Sequence, residues 1–444
     1  MIRFIFCFFF LNAFFNQTLY AFDIQSVKSS KNNIEAWLVE DHSLPLISIA
    51  IGFRGGSALD PEKKQGLALF TTSLLDEGAG QLDATAFQQK TKDLALDLDY
   101  VCSKDTIIIT FRSLTKYQKE GLALLKSSLI EPRFDTSAIE RIRSQLLVNI
   151  KNNQGNPGRI GRLAWLSMNF PGHPYSKDMT GTAETIASIE QNDFKEFLHN
   201  RFTLDNMFVA VVGDIDATHL SSLLDETFGD LPKQSALPIV QNSIAAESKG
   251  EIWSIPNDIP QSIILFGHGG IKRNHPDFIP AVLVNYILGG SNFDSHLNNE
   301  IREKRGLTYG ISTDLETYTQ TGLITGNVAT QSNKVLETID QIKKEWGQIH
   351  DKGLTQQELD NAKKYTRGSF ALQFNSSINI AQTLLRLQLN NLGINYIKER
   401  ENLINSVTLK DIKRVTSEIF MPNKLSFVIV GKTQDIPNQK ILTQ

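Results

Sequence analysis

The chain has 444 residues, 41% hydrophobic and 21% charged, a globular balance with room for roughly two or three domains that excludes disordered and fibrous classes. Its 45 Lys and Arg against 48 Asp and Glu give a net charge of −3, with no block of like charge, which argues against a nucleic-acid partner held by phosphate neutralisation. Cysteine is confined to Cys7 and Cys102, ruling out a disulfide framework and a Cys-ligated zinc cluster.

At the N-terminus, Arg3 precedes an apolar run from Phe4 to Phe15 broken only by Asn12, and Asn16 to Ala21 follow. That layout predicts a secretory signal peptide over residues 1–21, cleaved after Ala21, and a periplasmic or secreted destination. The run is shorter than the roughly 20 residues that span a bilayer, so no stable membrane span is expected after cleavage. Cys7 lacks the small-residue setting of a lipoprotein acceptor. Removing the signal takes away one basic residue, Arg3, moving the charge from −3 to −4 and leaving Cys102 without an intramolecular partner.

The rest of the chain repeats itself. Ile186 to Gly213 aligns without gaps onto Ile404 to Gly431, an offset of 218 residues, with Ile186, Ser188, Asp193, Lys195, Phe202, Val212 and Gly213 meeting identical residues. Each copy reads as a Ser or Thr start signal, an amphipathic helix, a short turn and an apolar strand ending in Gly. Ile47 to Phe53 answers Ser262 to Gly267 more loosely. Between the halves, 231–250 carries two prolines and no sustained period, and reads as a linker between an N-terminal half over 22–230 and a C-terminal half over 251–444. Long helices are predicted over Tyr117 to Ile130, Ser137 to Asn152, Ser332 to His350 and Thr355 to Leu372. The fold class is therefore α+β, with two homologous α/β sandwich halves forming a clam-like body whose cleft is the default place for a site.

The most informative stretch is Leu288 to Thr313. Ser291 can cap a helix whose apolar face is Phe293, Leu297 and Ile301, and Gly306 supplies the left-handed residue that ends it. Arg302 sits in the last turn, and Tyr309, seven residues on, is expected on the emerging strand. A tight turn would aim a guanidinium and a phenol at one point, as needed to stabilise charge growing on a peptide carbonyl oxygen. The plainer alternative makes Arg302 a cap for helix carbonyls and Tyr309 a half-buried sheet residue.

This stretch, LGGSNFDSHLNNEIREKRGLTY, in a two-half chain of this length, resembles the second half of an M16-type metallopeptidase, the pitrilysin and mitochondrial-processing-peptidase family. Gly52 to Gly78 is similar to that family's strand, Gly-Ser loop and zinc helix, and His173-Pro174-Tyr175 followed by Gly181 to its HPY segment. The resemblance covers essentially the whole mature chain. It implies that Arg302 and Tyr309 are the residues that contact substrate near the scissile bond.

The departure from the family is equally informative. Its zinc helix reads G-L-A-H-x-x-E-H, with two His ligands and a Glu general base. Here Gly66-Leu67-Ala68 is intact, but Leu69, Thr72 and Ser73 occupy the His, Glu and His positions, and the distal Glu ligand falls near Asn149. Apolar, hydroxyl and amide groups are poor substitutes for imidazole and carboxylate around zinc, so no cofactor is expected in this chain. No two of the eight histidines stand three to five residues apart; His296 with Glu300 reads as a solvated helix pair, and His173 as a hydrogen-bonded core or loop histidine. Gly55-Gly56, Gly78-Ala79-Gly80 and Gly289-Gly290 lack the fingerprints of phosphate or dinucleotide loops, and no G-x-S-x-G elbow occurs. The resemblance implies a subunit inactive alone, paired in a heterodimer with a zinc-bearing M16 subunit, to which it supplies Arg302 and Tyr309 for cutting unfolded peptides. The rival is a non-catalytic peptide-binding or scaffold protein like the family's core subunits.

Overall fold

The computed structural model describes residues 23–237, 244–290, 293–432 and 436–442. The signal segment with Cys7, the middle of the linker and Ser291 lie outside the described residues.

The first half contains β1 (Gln25–Lys28), β2 (Glu35–Glu40), β3 (Leu46–Arg54), a small hairpin of β4 (Gly78–Ala79) and β5 (Leu82–Asp83), then β6 (Asp97–Cys102), β7 (Thr106–Leu114) and β8 (Met207–Gly213). Six of these form one sheet in the order β1-β2-β8-β3-β7-β6. The second half contains β9 (Ile252–Pro256), β10 (Gln261–Gly269), β11 (Ile311–Thr317), β12 (Gly322–Gln331), β13 (Ser426–Gly431) and β14 (Gln439–Ile441), ordered β11-β12-β10-β13-β9-β14. From β2 to β6 and from β9 to β11 the connectivity is the same, including one parallel pair each, β2 with β8 and β9 with β13. The outermost strands differ: β1 runs antiparallel to β2, whereas β14 runs parallel to β9.

The long helices fall where their apolar periods place them, at Gln118–Ile130, Thr136–Asn153, Val335–Lys352 and Gln356–Phe370. Each repeated unit is a helix (Gln191–Arg201, Leu409–Glu418), a short 3-10 turn and a strand. The start signal differs from expectation in the first copy. Ser188 ends the preceding helix, and Glu190 caps the next one in a capping box with Asp193. In the second copy Thr408 caps with Asp411, so the Asp shared by the copies is the N3 residue of both boxes. The shared terminal glycine is equally specific: Gly213 has φ 140°, and a Cβ there would stand 2.1 Å from the Leu46 carbonyl oxygen.

The strands read apolar on both faces because both are covered. In β3, Ile47, Ile49, Ile51 and Phe53 enter the core shared with the half's own helices, while Ala50 on the opposite face joins a second cluster. That second cluster is filled from the other half: Ile380, Ala381, Leu384 and Leu385 of helix Ser377–Leu389 pack against Trp37, Val39, Ala50, Ala210 and Val212. The exchange is reciprocal. Helix Pro157–Asn169 of the first half lays Ala164, Trp165, Leu166 and Met168 on Leu265, Val428 and Val430 of the second sheet. Small residues set the crossings, since a Cβ at Gly161 would lie 2.7 Å from Leu265 Cδ1.

Candidate functional site

The segment matching the zinc helix begins in a loop held by one buried ion pair. Asp60 accepts the N–H groups of Gly66 at 3.1 Å and Ala68 at 3.2 Å, serving as an external cap for helix Leu67–Thr72. Arg201 reaches Asp60 at 3.4 Å and donates to the carbonyls of Gly55, Gly56 and Leu59. The Gly55-Gly56 loop thus turns its carbonyls onto a cation, the reverse of a phosphate cradle. Burial pushes the Asp60 carboxyl up to about 6 despite Arg201 beside it.

On the helix itself, Leu69 packs against the first core. Thr72 donates its hydroxyl to the carbonyls of Ala68 and Leu69, both at 2.9 Å, and Ser73 donates to Leu69 at 2.9 Å. These hydroxyls are engaged by the helix's own backbone. Asn149 is exposed on helix Thr136–Asn153, and its carbonyl accepts from Asn153 Nδ2 at 2.9 Å. Among the described residues no group of three His, Cys, Asp or Glu could hold a metal ion.

The Arg302 and Tyr309 segment is a built turn. Residues Asn298–Glu303 form a π-helical stretch, with the Lys304 N–H donating to the Asn299 carbonyl at 3.0 Å. Gly306, at φ 61°, donates to the Arg302 carbonyl, the bond of a left-handed C-cap, and Leu307 reaches further back to the Ile301 carbonyl, both at 3.0 Å, with the Ile301 and Leu307 side chains buried beside them. Two expectations are corrected here. Phe293 is 71% exposed rather than part of the buried face; the Arg302 guanidinium lies over its ring at 4.5 Å and meets Glu303 at 3.1 Å. Tyr309 precedes the strand, which starts at Ile311, because Thr308 donates its hydroxyl to the Ala329 carbonyl at 2.7 Å and turns the chain outward. Tyr309 is 90% exposed and, among the described residues, makes no hydrogen bond, so it is not the half-buried sheet residue of the plainer reading. Both residues sit on one turn, and among the described residues no hydrogen bond or cation–π contact joins them. Nearby, His296 pairs with Glu358 at 2.6 Å rather than with Glu300, which binds Lys304 and Arg305 instead.

A polar seam between the halves escaped the sequence reading. Arg162 spans the Glu316 carboxylate with both terminal nitrogens and also donates to the Tyr318 hydroxyl at 3.1 Å. Tyr175 of the HPY segment donates to Asp105 at 2.7 Å and packs on the Tyr318 ring, while the Thr319 N–H donates to the other Asp105 oxygen at 2.8 Å. Burial, reinforced by Asp105, raises the Tyr175 pKa, keeping it a donor. His173 accepts the Tyr175 N–H at 3.1 Å through Nδ1, while its buried Nε2 has no hydrogen-bond partner among the described residues, so of the two alternatives it is the loop histidine. The HPY segment was the one sequence signal that marked this seam, and its residues work as a latch.

Two family models match the chain. Residues 35–182 match the insulinase model of peptidase family M16, and residues 188–365 the peptidase M16 inactive domain. A Helicobacter pylori protein described as the non-peptidase homolog YmxG is 27% identical over 88% of this chain and 90% of its own length. The mitochondrial-processing peptidase subunit beta of Saccharomyces cerevisiae is 22% identical over 88% of this chain and 87% of its own. A solved structure from Pseudomonas fluorescens, described as a peptidase M16 inactive domain, has a TM-score of 0.87 at 26% identity, covering 95% of this chain and 100% of its own. With matches across both halves and the fold reproduced over nearly its full length, the chain belongs to the M16 peptidase family.

Proposed function

We propose that this protein is an exported M16 subunit without peptidase activity of its own, which pairs with a zinc-bearing M16 subunit and lends it Arg302 and Tyr309 during hydrolysis of unfolded peptides. The observation that carries the reading is Tyr309, a phenol 90% exposed on a turn closed by the left-handed Gly306, with the Arg302 guanidinium on the same turn. A donor left in solvent does little for its own fold and is available to a substrate oxygen that gains charge as its carbonyl is attacked. Strands β6 and β11 end their sheets, and an unpaired edge can hold an extended peptide by its backbone with little regard for sequence. Lack of activity alone is supported by the names of the relatives, a non-peptidase homolog and an inactive domain, and pairing by a relative named as a subunit. Zinc belongs in this reading to the partner.

The test is co-purification from the native envelope followed by mixing. A bound protein bearing His-x-x-Glu-His, and peptide turnover that needs both chains, is the expected result. Recovery of no such partner, or full turnover by the partner alone, leaves this chain a peptide-binding scaffold.

A further inference from the structure

At the junction of the halves lies a cleft of about 700 Å³, walled by the β6–β7 turn, helix Pro157–Asn169, residues 177–179 and the end of β11. Its hydrogen-bonding balance is lopsided. Each carboxylate on its wall is already taken up: Asp105 by Tyr175 and Thr319, Asp178 by Arg159 and Thr180, Glu316 by Arg162 and Tyr318. The unused capacity is cationic. Lys104 donates to the Lys177 carbonyl, and among the described residues neither lysine ammonium pairs with a carboxylate. Burial draws the Lys104 pKa down, against the pull of Asp178, Asp60 and Asp105 nearby. Beside these cations the wall is apolar, with Leu163, Leu166 and Met179.

A site with spare cationic donors and an apolar flank fits a ligand that joins an anionic acceptor to an apolar group. The cleft also receives the ends of both sheet-edge strands, since Cys102 ends β6 and Thr317 ends β11. An extended peptide laid along either edge is carried towards it. We propose that this cleft binds the C-terminal carboxylate of a peptide, with Lys104 and Lys177 on the carboxylate and Leu163, Leu166 and Met179 around an apolar last side chain. This rests on the peptide-binding part of the proposed function, and is independent of Arg302, Tyr309 and any zinc partner.

The experiment uses the mature chain alone and one short unstructured peptide ending in leucine, made with a free carboxylate and as its C-terminal amide, with binding read by fluorescence anisotropy. Amidation removes the negative charge that the two ammonium groups would meet, and should weaken binding about tenfold or more. Lys104→Met together with Lys177→Met should bring the two peptides to equal affinity, and Lys104→Arg should keep the preference; melting curves check that each variant is folded. Equal binding of acid and amide by the unaltered chain overturns the inference while the peptide reading stands. Binding of neither overturns both. Inorganic phosphate serves as a second probe, and tighter binding of phosphate than of the free-acid peptide would reassign the cleft to a small anion.

Discussion

Leu385 lies so close to Gly52 that a Cβ at Gly52 would stand 3.0 Å from Leu385 Cδ1, although 333 residues separate them. The contact seats the second half's helix on the first half's sheet, and Gly161 against Leu265 is its counterpart. Gly52→Val and Gly161→Val should each lower stability by about 1–3 kcal/mol through overpacking. Gly155→Ala, where nothing lies within 4 Å, should change it by no more than about 1 kcal/mol. Urea unfolding midpoints at constant slope decide it.

In the complex with a zinc-bearing partner, Tyr309→Phe should reduce peptide turnover by roughly a hundred- to a thousandfold with assembly intact, the usual effect of removing one transition-state donor. Arg302→Ala should do at least as much. Phe293→Ala, which removes the ring 4.5 Å beneath the Arg302 guanidinium, should cost less and raise KM alongside. Unchanged turnover in all three would return the turn to a purely structural role.

Asp60 should imprint a pH dependence on stability. Its folded pKa of about 6 is raised from 3.8, so the folded state holds the proton more tightly and this contribution is full below the unfolded pKa and lost as pH climbs through about 6. Relative to the natural chain, Asp60→Asn should therefore gain about 2–3 kcal/mol between pH ~4 and pH ~7, whatever its offset. Arg201→Met strands a buried carboxylate and should cost about 3–5 kcal/mol at neutral pH. Unfolding midpoints across the pH range measure both.

Metal content is a further test. The isolated mature chain should hold no stoichiometric zinc by elemental analysis. Joint replacement Leu69→His, Thr72→Glu, Ser73→His and Asn149→Glu should create weak zinc affinity, and because Thr72 is 2% exposed, the introduced carboxylate should destabilise the metal-free fold. Zinc should then raise the melting temperature of the variant and leave that of the natural chain unmoved. A variant that melts alike with and without zinc would mean that Asn149 is not the distal position.

The legible parts of this fold were local or periodic. Helix spans followed from apolar spacing, the turn at Gly306 from its left-handed residue, and the duplication from a gapless alignment ending at Gly213 and Gly431. Which sheet a helix covers is not local: nothing within Ser377–Leu389 says that its apolar face lies on Ala50 and Val212 rather than on its own half. Small residues alternating with large ones in Ile47 to Phe53 carried a trace of that exchange, since Ser48, Ala50 and Gly52 occupy the face beneath the foreign helix. The candidate site was half legible. That Arg302 and Tyr309 fall on one turn could be read from spacing, but where that turn leaves Tyr309 involved Thr308 reaching Ala329, a residue from another strand.

The exchange of helices also sets an order of events during synthesis. The first sheet is complete in sequence at Gly213, yet the helix that covers its far side ends at Leu389, 176 residues later. Whatever the compartment in which the chain folds, a first half that forms before that stretch is in place shows an uncovered band of Trp37, Val39, Ala50 and Val212. A polypeptide released early, or cut between its halves, would keep that band open for good, so truncated products of this gene should be found with chaperones and proteases rather than as free half-proteins.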